Sequence, residues 1–269
     1  MKLLWSKPVP TDNPWEPYYA GIFCKIADKV HYFFKEGRGI GVLAEDCDAI
    51  QYFCAEDKLI PLPNHWILSE SEDHANLFFN EGLLLEIPDM KIREITDTAL
   101  AEEYRNRCKP EKYYVEASFC HEGYCISHKG NFGYRCTKDG ELIWEFRGQG
   151  YLYTEISFRD DRVFFGTAGQ GGYFYVLNLK TGEALAKIKT GGTASIAAED
   201  DRCYVLANGK TAKLLCVDIQ NGAIRSEAEL PGKASVYSRL GLIDGRLHAI
   251  TFSYRKDCLH HAIWSCVSF

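Results

Sequence analysis

Short apolar runs alternate with polar turn residues along most of the chain, which is the pattern of β-strands joined by tight hairpins. Three of these turns have similar sequences, in which Asp or Gly residues are followed by an arginine and an apolar run. They precede Arg162, Arg202 and Arg246, which are 40 and 44 residues apart. The spacing predicts a repeated unit of about 40 residues.

A second kind of turn keeps the same period. Gly140, Gly182 and Gly222 each stand in a polar segment, and they are 42 and 40 residues apart. Glycine permits the positive φ angles that such corners need. Apolar runs lie before, between and after the two turns, so each repeat is predicted to contain four short strands.

Weaker copies of the first turn occur at residues 27–32, 72–77 and 121–125, which brings the number of repeats to six. From Lys29 to Arg246 the five intervals span 217 residues, or about 43 residues each. Four strands in a period of about 40 to 50 residues are typical of a β-propeller blade. The sequence therefore predicts an all-β fold: a single domain over residues 1–269 that forms a six-bladed β-propeller of four-stranded blades.

The last repeat has apolar strands near residues 234–240, 247–254 and 262–269 and lacks a fourth. Residues 2–5, Lys-Leu-Leu-Trp, resemble residues 141–144, Glu-Leu-Ile-Trp, which form the fourth strand of the third repeat. We therefore expect residues 2–8 to close the propeller as the outer strand of the last blade. Such closure removes the free edge that an open sheet would present.

One segment departs from the strand pattern. Residues 97–110 contain Asp97 and Thr98, which can cap a helix, then two glutamates and several basic residues, and end at Pro110. These features predict one short helix inserted between the second and third blades. Such an insertion is either a connector or part of a binding surface.

The repeat resembles a blade of the pyrroloquinoline-quinone-like (quinoprotein-like) propellers. The resemblance rests on residues 161–167 and 172–183, which end in Lys-Thr-Gly-Glu, and on residues 214–223. Relatives that use the quinone are large exported dehydrogenases with adjacent cysteines and calcium ligands, whereas this chain has no Cys-Cys pair. The resemblance thus implies the fold and a non-catalytic scaffold, without a cofactor. In the competing WD-repeat family a Trp-Asp dipeptide ends the units, and none does so here.

The net charge of −6 is uneven, because residues 1–110 carry 19 acidic and 12 basic residues, while residues 111–269 carry 18 and 19. A basic stripe that would neutralise phosphates is missing, so nucleic acid is not expected as a partner. Neither an export signal nor an apolar stretch of about 20 residues is visible. We expect a monomer in the cytoplasm with no membrane contact.

Eleven cysteines are scattered through predicted strands, a distribution that favours reduced, mostly buried thiols over a disulfide framework. The densest group is Cys120, His121, Cys125 and His128, with Cys136 nearby. Zinc accepts such ligands, but a structural zinc site usually has two tight ligand pairs. A hairpin with incidental thiols is therefore the preferred interpretation, and no metal is predicted.

Other catalytic patterns are weak. Strands rather than a helix follow the glycines of residues 169–172, which argues against a phosphate-binding loop. The chain also has no Gly-x-Ser-x-Gly segment. Two alternatives to a scaffold stay open: a hydrolase or lyase whose site lies in the central channel, and a sensor of small ligands or carbohydrate that uses the abundant Tyr and Trp side chains.

Acidic side chains in loops of the first two blades are the strongest candidates for binding. Acidic loops can simply keep a protein in solution. The sharper hypothesis is a negative face that recruits a basic protein, for example a toxin domain neutralised by an immunity-type protein. The predicted partner-binding residues are Glu45, Asp46, Asp48, Glu56, Asp57, Glu70, Glu72 and Asp73.

Removal of residues 1–8 is expected to lower the melting temperature, because the last blade would lose its outer strand and expose a free edge. Thermal unfolding of the full chain and of the truncated chain, followed by calorimetry, measures the effect. An unchanged melting temperature would show that residues 2–8 do not complete the fold.

Overall fold

The computed structural model describes residues 1–10, 21–26, 28–36, 39–48, 51–53, 67–70, 76–79, 82–86, 91–107, 118–130, 132–169, 171–235, 238–254 and 260–269. In these residues 25 strands form six antiparallel sheets, numbered here by their order along the chain. Strand β1 (Lys2–Pro8) belongs to sheet 6. Sheet 1 consists of β2 (Ile22–Ile26), β3 (Lys29–Glu36), β4 (Gly39–Ala44) and β5 (Gln51–Phe53), and sheet 2 of β6 (Ile67–Glu70), β7 (Asn76–Phe79), β8 (Leu83–Glu86) and β9 (Lys91–Glu94).

The other four sheets follow in the same way. Sheet 3 consists of β10 (Ser118–His121), β11 (Tyr124–Lys129), β12 (Gly133–Lys138) and β13 (Glu141–Arg147). Sheet 4 consists of β14 (Tyr151–Leu152), β15 (Ser157–Arg159), β16 (Arg162–Ala168), β17 (Tyr173–Asn178) and β18 (Ala184–Lys189). Sheet 5 consists of β19 (Thr193–Glu199), β20 (Arg202–Ala207), β21 (Ala212–Asp218) and β22 (Ile224–Leu230), and sheet 6 of β23 (Arg239–Ile243), β24 (Arg246–Tyr254), β25 (His260–Ser268) and β1.

Sheet 4 departs from the predicted four strands because its first strand is interrupted. Both β14 and β15 pair with β16. Between them Thr154 turns its hydroxyl toward the ladder, and Oγ1 accepts a hydrogen bond of 2.8 Å from the backbone N–H of Gly166. The side chain thus takes the place of a backbone partner and divides one strand into two pieces.

Strand β1 pairs with β25 in an antiparallel ladder that runs from Lys2 opposite Ser268 to Pro8 opposite Ile263. Residues 2–8 thus form the outer strand of sheet 6, as predicted.

In sheets 3 to 6 the outermost strands β13, β18, β22 and β1 each have a register shift at the equivalent position. One extra residue is accommodated there, which is the definition of a β-bulge. The residues that directly follow the extra ones are Trp5, Trp144, Ala186 and Ser226.

Two of these side chains reach the neighbouring sheet. Trp144 donates a hydrogen bond of 2.7 Å from Nε1 to the carbonyl oxygen of Leu179, which follows β17 in sheet 4. The indole also lies against Gly182, and Ala186 occupies the corresponding place against Gly222 of sheet 5. A small residue in the turn therefore allows close approach of the preceding sheet.

Buried hydrophobic residues are grouped between neighbouring sheets. The clusters join sheets 1 and 2, sheets 3 and 4, sheets 4 and 5, sheets 5 and 6, and sheets 6 and 1. In the last of these, Trp264 of sheet 6 packs with Phe23 and Tyr32 of sheet 1 at ring-centroid distances of 5.6 and 6.3 Å. The core is thus a series of face-to-face sheet contacts.

The predicted helix is present as α1 (Thr98–Arg107). Asp97 caps it, since Oδ1 accepts a hydrogen bond of 3.0 Å from the backbone N–H of Leu100. Leu100 and Tyr104 pack against Phe78 and Leu84 of sheet 2, and the face of sheet 2 that carries them points away from sheet 1. The side of the helix that carries Leu100 and Tyr104 therefore packs against this face of sheet 2.

The expectation of reduced thiols is wrong at one place. Cys120 and Cys125 form a disulfide across the β10–β11 hairpin, with Cα atoms 4.1 Å apart. Both belong to the group considered for zinc, and the disulfide removes them as thiolate ligands. The described free cysteines are Cys24, Cys47, Cys136, Cys203, Cys216 and Cys266, and all except Cys47 are buried. Cys54, Cys108 and Cys258 lie outside the described residues.

Replacement of Gly182 by alanine should destabilise the protein by about 2 to 4 kcal/mol. Its φ of +72° is unfavourable for a residue with a Cβ, and that atom would lie 2.6 Å from Cδ2 of Trp144. Gly140 is the matched control, because its φ is +90° and no atom lies within 4 Å of an added Cβ. Gly140→Ala should cost only about 1 to 2 kcal/mol. Denaturant unfolding measures both, and equal losses would contradict the packing argument.

Candidate partner-binding surface

In an antiparallel sheet of four strands, the turn after the first strand and the turn after the third lie at the same end. Five described non-glycine residues have positive φ, between 47° and 51°, and every one is in such a turn and carries a carboxylate: Glu122, Asp139, Asp160, Asp200 and Asp244. Asp adopts this left-handed conformation more readily than most residues. The tight hairpins of sheets 3 to 6 thereby place carboxylates on one side of the molecule.

The segment from Glu45 to Asp48 follows β4, so it occupies the corresponding turn of sheet 1. Glu45 accepts a hydrogen bond of 3.0 Å at Oε1 from the backbone N–H of Val30. Asp46 forms an ion pair with Lys29, and the hydrogen bond that Lys29 donates in this pair lowers the pKa of the Asp46 carboxyl group. We define the acidic turn face as Glu45, Asp46 and Asp48 together with Glu122, Asp139, Asp160, Asp200 and Asp244.

The other predicted binding residues are not placed. Glu70 is the last residue of β6, and nothing of its side chain is described. Glu56, Asp57, Glu72 and Asp73 lie outside the described residues. Of the eight predicted residues, the structure thus brings Glu45, Asp46 and Asp48 together in one turn.

The sequence did not identify Lys7, which binds the backbone of this turn. Its Nζ donates hydrogen bonds to the carbonyl oxygens of Ala44, Glu45 and Cys47 at 2.8, 3.0 and 2.5 Å. Nζ also lies 5.1 Å from the ring centroid of Trp264. A lysine in β1 thereby links sheet 6 to the acidic turn of sheet 1.

Burial is the largest influence on Lys7 and lowers the pKa of its amino group, while the charges of Asp48, Cys47, Asp46 and Glu45 raise it. Three carbonyl oxygens and an aromatic ring replace the water that the ammonium group loses. No motif marks Lys7 in the sequence, because its partners lie 37 to 40 residues away along the chain.

Part of the acidic turn face is neutralised by ion pairs. Asp244 accepts from Lys25 of sheet 1 at 2.6 Å, and Asp46 is paired with Lys29. Within the described ranges, Asp160 and Asp200 form no ion pair. These two carboxylates therefore keep their charge available to a partner.

A cleft of about 480 Å³ opens on the acidic turn face between sheets 3 and 4. His121 and Glu122 form one wall, and Phe158, Arg159, Asp160 and Asp161 form the other. The rings of His121 and Phe158 are stacked with centroids 5.4 Å apart. The sequence shows both turns as copies of one motif, but it does not show that they face each other.

No family model matches the chain, and no curated protein matches it. Among solved structures, U3-55K is similar over 97% of this chain and 98% of its own, with 11% identity and a TM-score of 0.61. The chain has a β-propeller fold. BamB from Moraxella catarrhalis is similar with a lower TM-score of 0.40, at 14% identity over 92% of this chain and 69% of its own. The computationally designed Ika8 protein has a TM-score of 0.43, at 12% identity over 88% of this chain and 69% of its own.

The single helix in the described part of the propeller is too short and too polar to cross a lipid bilayer.

A buried histidine lies in the seam between sheets 6 and 1. His248 accepts a hydrogen bond of 3.1 Å at Nδ1 from Nε1 of Trp264, and its ring is close to those of Trp5 and Phe23. Nδ1 accepts, so the proton of the neutral ring is on Nε2, which has no partner among the described atoms. Burial lowers the pKa of His248 to about 4, against the charge of Glu45, which raises it, while Arg246 lowers it further.

The stability of the propeller should fall as the pH drops from about 6.5 to 4. The unfolded chain binds a proton on His248 near pH 6.5, whereas the folded protein does so only near 4, so the stabilisation is complete above 6.5 and is lost below it. The loss amounts to about 3 kcal/mol at pH 4.

His248→Asn retains an acceptor for Trp264 and removes the titration, so urea unfolding of this variant should depend less on pH across that interval. His121→Asn, at an exposed position, is the control and should keep the full dependence. A wild-type slope in His248→Asn would contradict the assignment.

Proposed function

We propose that this propeller is a non-catalytic scaffold that binds a basic protein through the acidic turn face. The observation that carries the proposal is the recurrence of carboxylates at the exposed turns of sheets 3 to 6, in addition to the acidic turn of sheet 1. Surface carboxylates attract a positively charged partner and accelerate its association. A basic toxin domain, neutralised as by an immunity-type protein, is the kind of partner proposed.

The cleft between sheets 3 and 4 supports this function at the level of single side chains. Glu122 and Asp160 supply carboxylates, and Phe158 supplies an aromatic face beside His121. A lysine or arginine side chain gains both ion pairing and a cation–π contact in such a place. We therefore propose the cleft as the position for a basic anchor residue of the partner.

The proposal includes a ring of six blades. The hydrophobic clusters between successive sheets support it, including the cluster that joins sheet 6 to sheet 1, and so does the pairing of β1 with β25. Lys7 adds a polar link across the same seam. Glu56, Asp57, Glu70, Glu72 and Asp73 stay predicted binding residues of this proposal.

The quinoprotein-like repeat also stays a proposal. It rests on the sequence of residues 161–167, 172–183 and 214–223, which carry the resemblance. The cytoplasmic location and the monomeric state are predictions from the sequence.

A pull-down from the native cytoplasm tests the function. The tagged wild-type chain should capture a basic protein at low salt and release it as the salt concentration rises, because screening weakens exposed charge pairs. The double variant Asp160→Lys with Asp200→Lys should weaken the affinity for the captured protein by roughly tenfold or more.

Glu227→Lys with Glu229→Lys is the matched control, since it changes the net charge equally on the outer strand β22, where both residues are exposed. This control should bind nearly as well as the wild type. Equal weakening by both double variants, or capture that is indifferent to salt, would refute binding through the acidic turn face.

A further inference from the structure

The disulfide between Cys120 and Cys125 differs from the other described cysteines in its exposure. Cys120 is exposed and Cys125 is half-buried. The free cysteines Cys24, Cys136, Cys203, Cys216 and Cys266 are all buried. Thiols in solution can thus reach the disulfide while the core of the protein stays folded.

Burial also makes the other thiols unreactive. It raises the pKa of Cys136 and of Cys266 to about 11, and it raises the pKa of Cys203 and Cys216 as well. The thiolate is the form that attacks a disulfide, so these side chains do not exchange with it at neutral pH. Exchange within the described residues is thereby directed to Cys120 and Cys125, with half-buried Cys47 on sheet 1 as a separate thiol.

The hairpin does not need the covalent bond to persist. Cys120 and Cys125 are one of four opposed pairs between β10 and β11, and β11 is paired with β12 along its whole length. The bond closes a segment of only six residues, from 120 to 125, and short closed segments add less stability than long ones. Its reduction therefore leaves the sheet folded, and the bond can form again.

The bond nevertheless restrains the wall of the cleft. The residues that it encloses include His121 and Glu122, and Glu122 has a positive φ of 47°. The bond joins the residues on either side of this turn, so it limits how far the two ends of the turn can move apart. The covalent state of the two sulfur atoms thus sets how firmly one wall of the cleft is held.

We propose that Cys120–Cys125 is a reversible redox site of the protein, exchanged by small-molecule thiols such as glutathione, and that its state controls the order of the 121–123 turn. Exposed disulfides are the labile and regulatory class. The proposal goes beyond the binding function and does not depend on the identity of a partner.

The exchange has a defined course. The thiolate of reduced glutathione attacks Sγ of exposed Cys120, the disulfide bond breaks, and its electron pair leaves with Sγ of Cys125, which takes up a proton. A second glutathione thiolate attacks the glutathione sulfur of the mixed disulfide, so that Cys120 is released and protonated. Two glutathione thiols are thus oxidised to one glutathione disulfide, and the protein disulfide is reduced to two thiols.

The test equilibrates the full chain in buffers of reduced and oxidised glutathione, traps the free thiols with an alkylating reagent and maps them by mass spectrometry. We expect the link between Cys120 and Cys125 in oxidised glutathione, two alkyl groups on these cysteines in reduced glutathione, and return of the link on reoxidation. Cys136→Ser and Cys47→Ser should behave like the wild type, and Cys125→Ser should lose the reversible link.

Hydrogen exchange gives the second readout. Backbone amides of the 121–123 turn should exchange roughly tenfold faster after reduction, while those of β11 and β12 stay protected. Free thiols at both positions in oxidised glutathione, or a link that resists excess reduced glutathione until the protein unfolds, would overturn the redox site. An unchanged exchange rate in the turn would overturn its control of the cleft wall.

Discussion

The propeller depends on the contact between the fourth strand of one sheet and the turn of the next. In sheet 3 the contact is made by Trp144, which donates to the carbonyl oxygen of Leu179 and covers Gly182. In sheet 6 the same role falls to Lys7, whose ammonium group binds three carbonyl oxygens of the turn in sheet 1. The chemistry differs, but in both places a side chain beyond a bulge satisfies carbonyl groups that the turn leaves without a strand partner.

The backbone conformation of the hairpins explains why the turns present carboxylates in fixed positions. A tight hairpin requires a residue with positive φ, and Asp meets that requirement at Asp139, Asp160, Asp200 and Asp244. The same residues are four of the eight charged groups of the acidic turn face. One choice of side chain, Asp, therefore provides both the positive φ of the hairpin and the negative charge of the surface. The proposed binding function needs no inserted segment.

The sequence predicted those parts of the structure that depend on local conformation. Turn residues at regular spacing identified the hairpins of sheets 3 to 6, and Asp97 identified the start of the helix. It could not reveal contacts between distant segments, such as Lys7 with Ala44 or the two walls of the cleft. The disulfide was within reach, since two cysteines that flank a two-residue turn symmetrically must face each other. The division of the first strand in sheet 4 depends on one hydroxyl group, that of Thr154, and no spacing rule could predict it.

The bulges have a consequence for the outside of the molecule. The outer strands β13, β18 and β22 each end a sheet in the described part of the chain, and a straight strand in that position invites another chain to pair with it and aggregate. A bulge interrupts the regular row of N–H and C=O groups, and charged side chains such as Glu145, Lys187 and Glu227 project along the same strands. The irregularity that positions Trp144 against its neighbour thus also makes the outer edge of sheet 3 a poorer template for pairing with another chain.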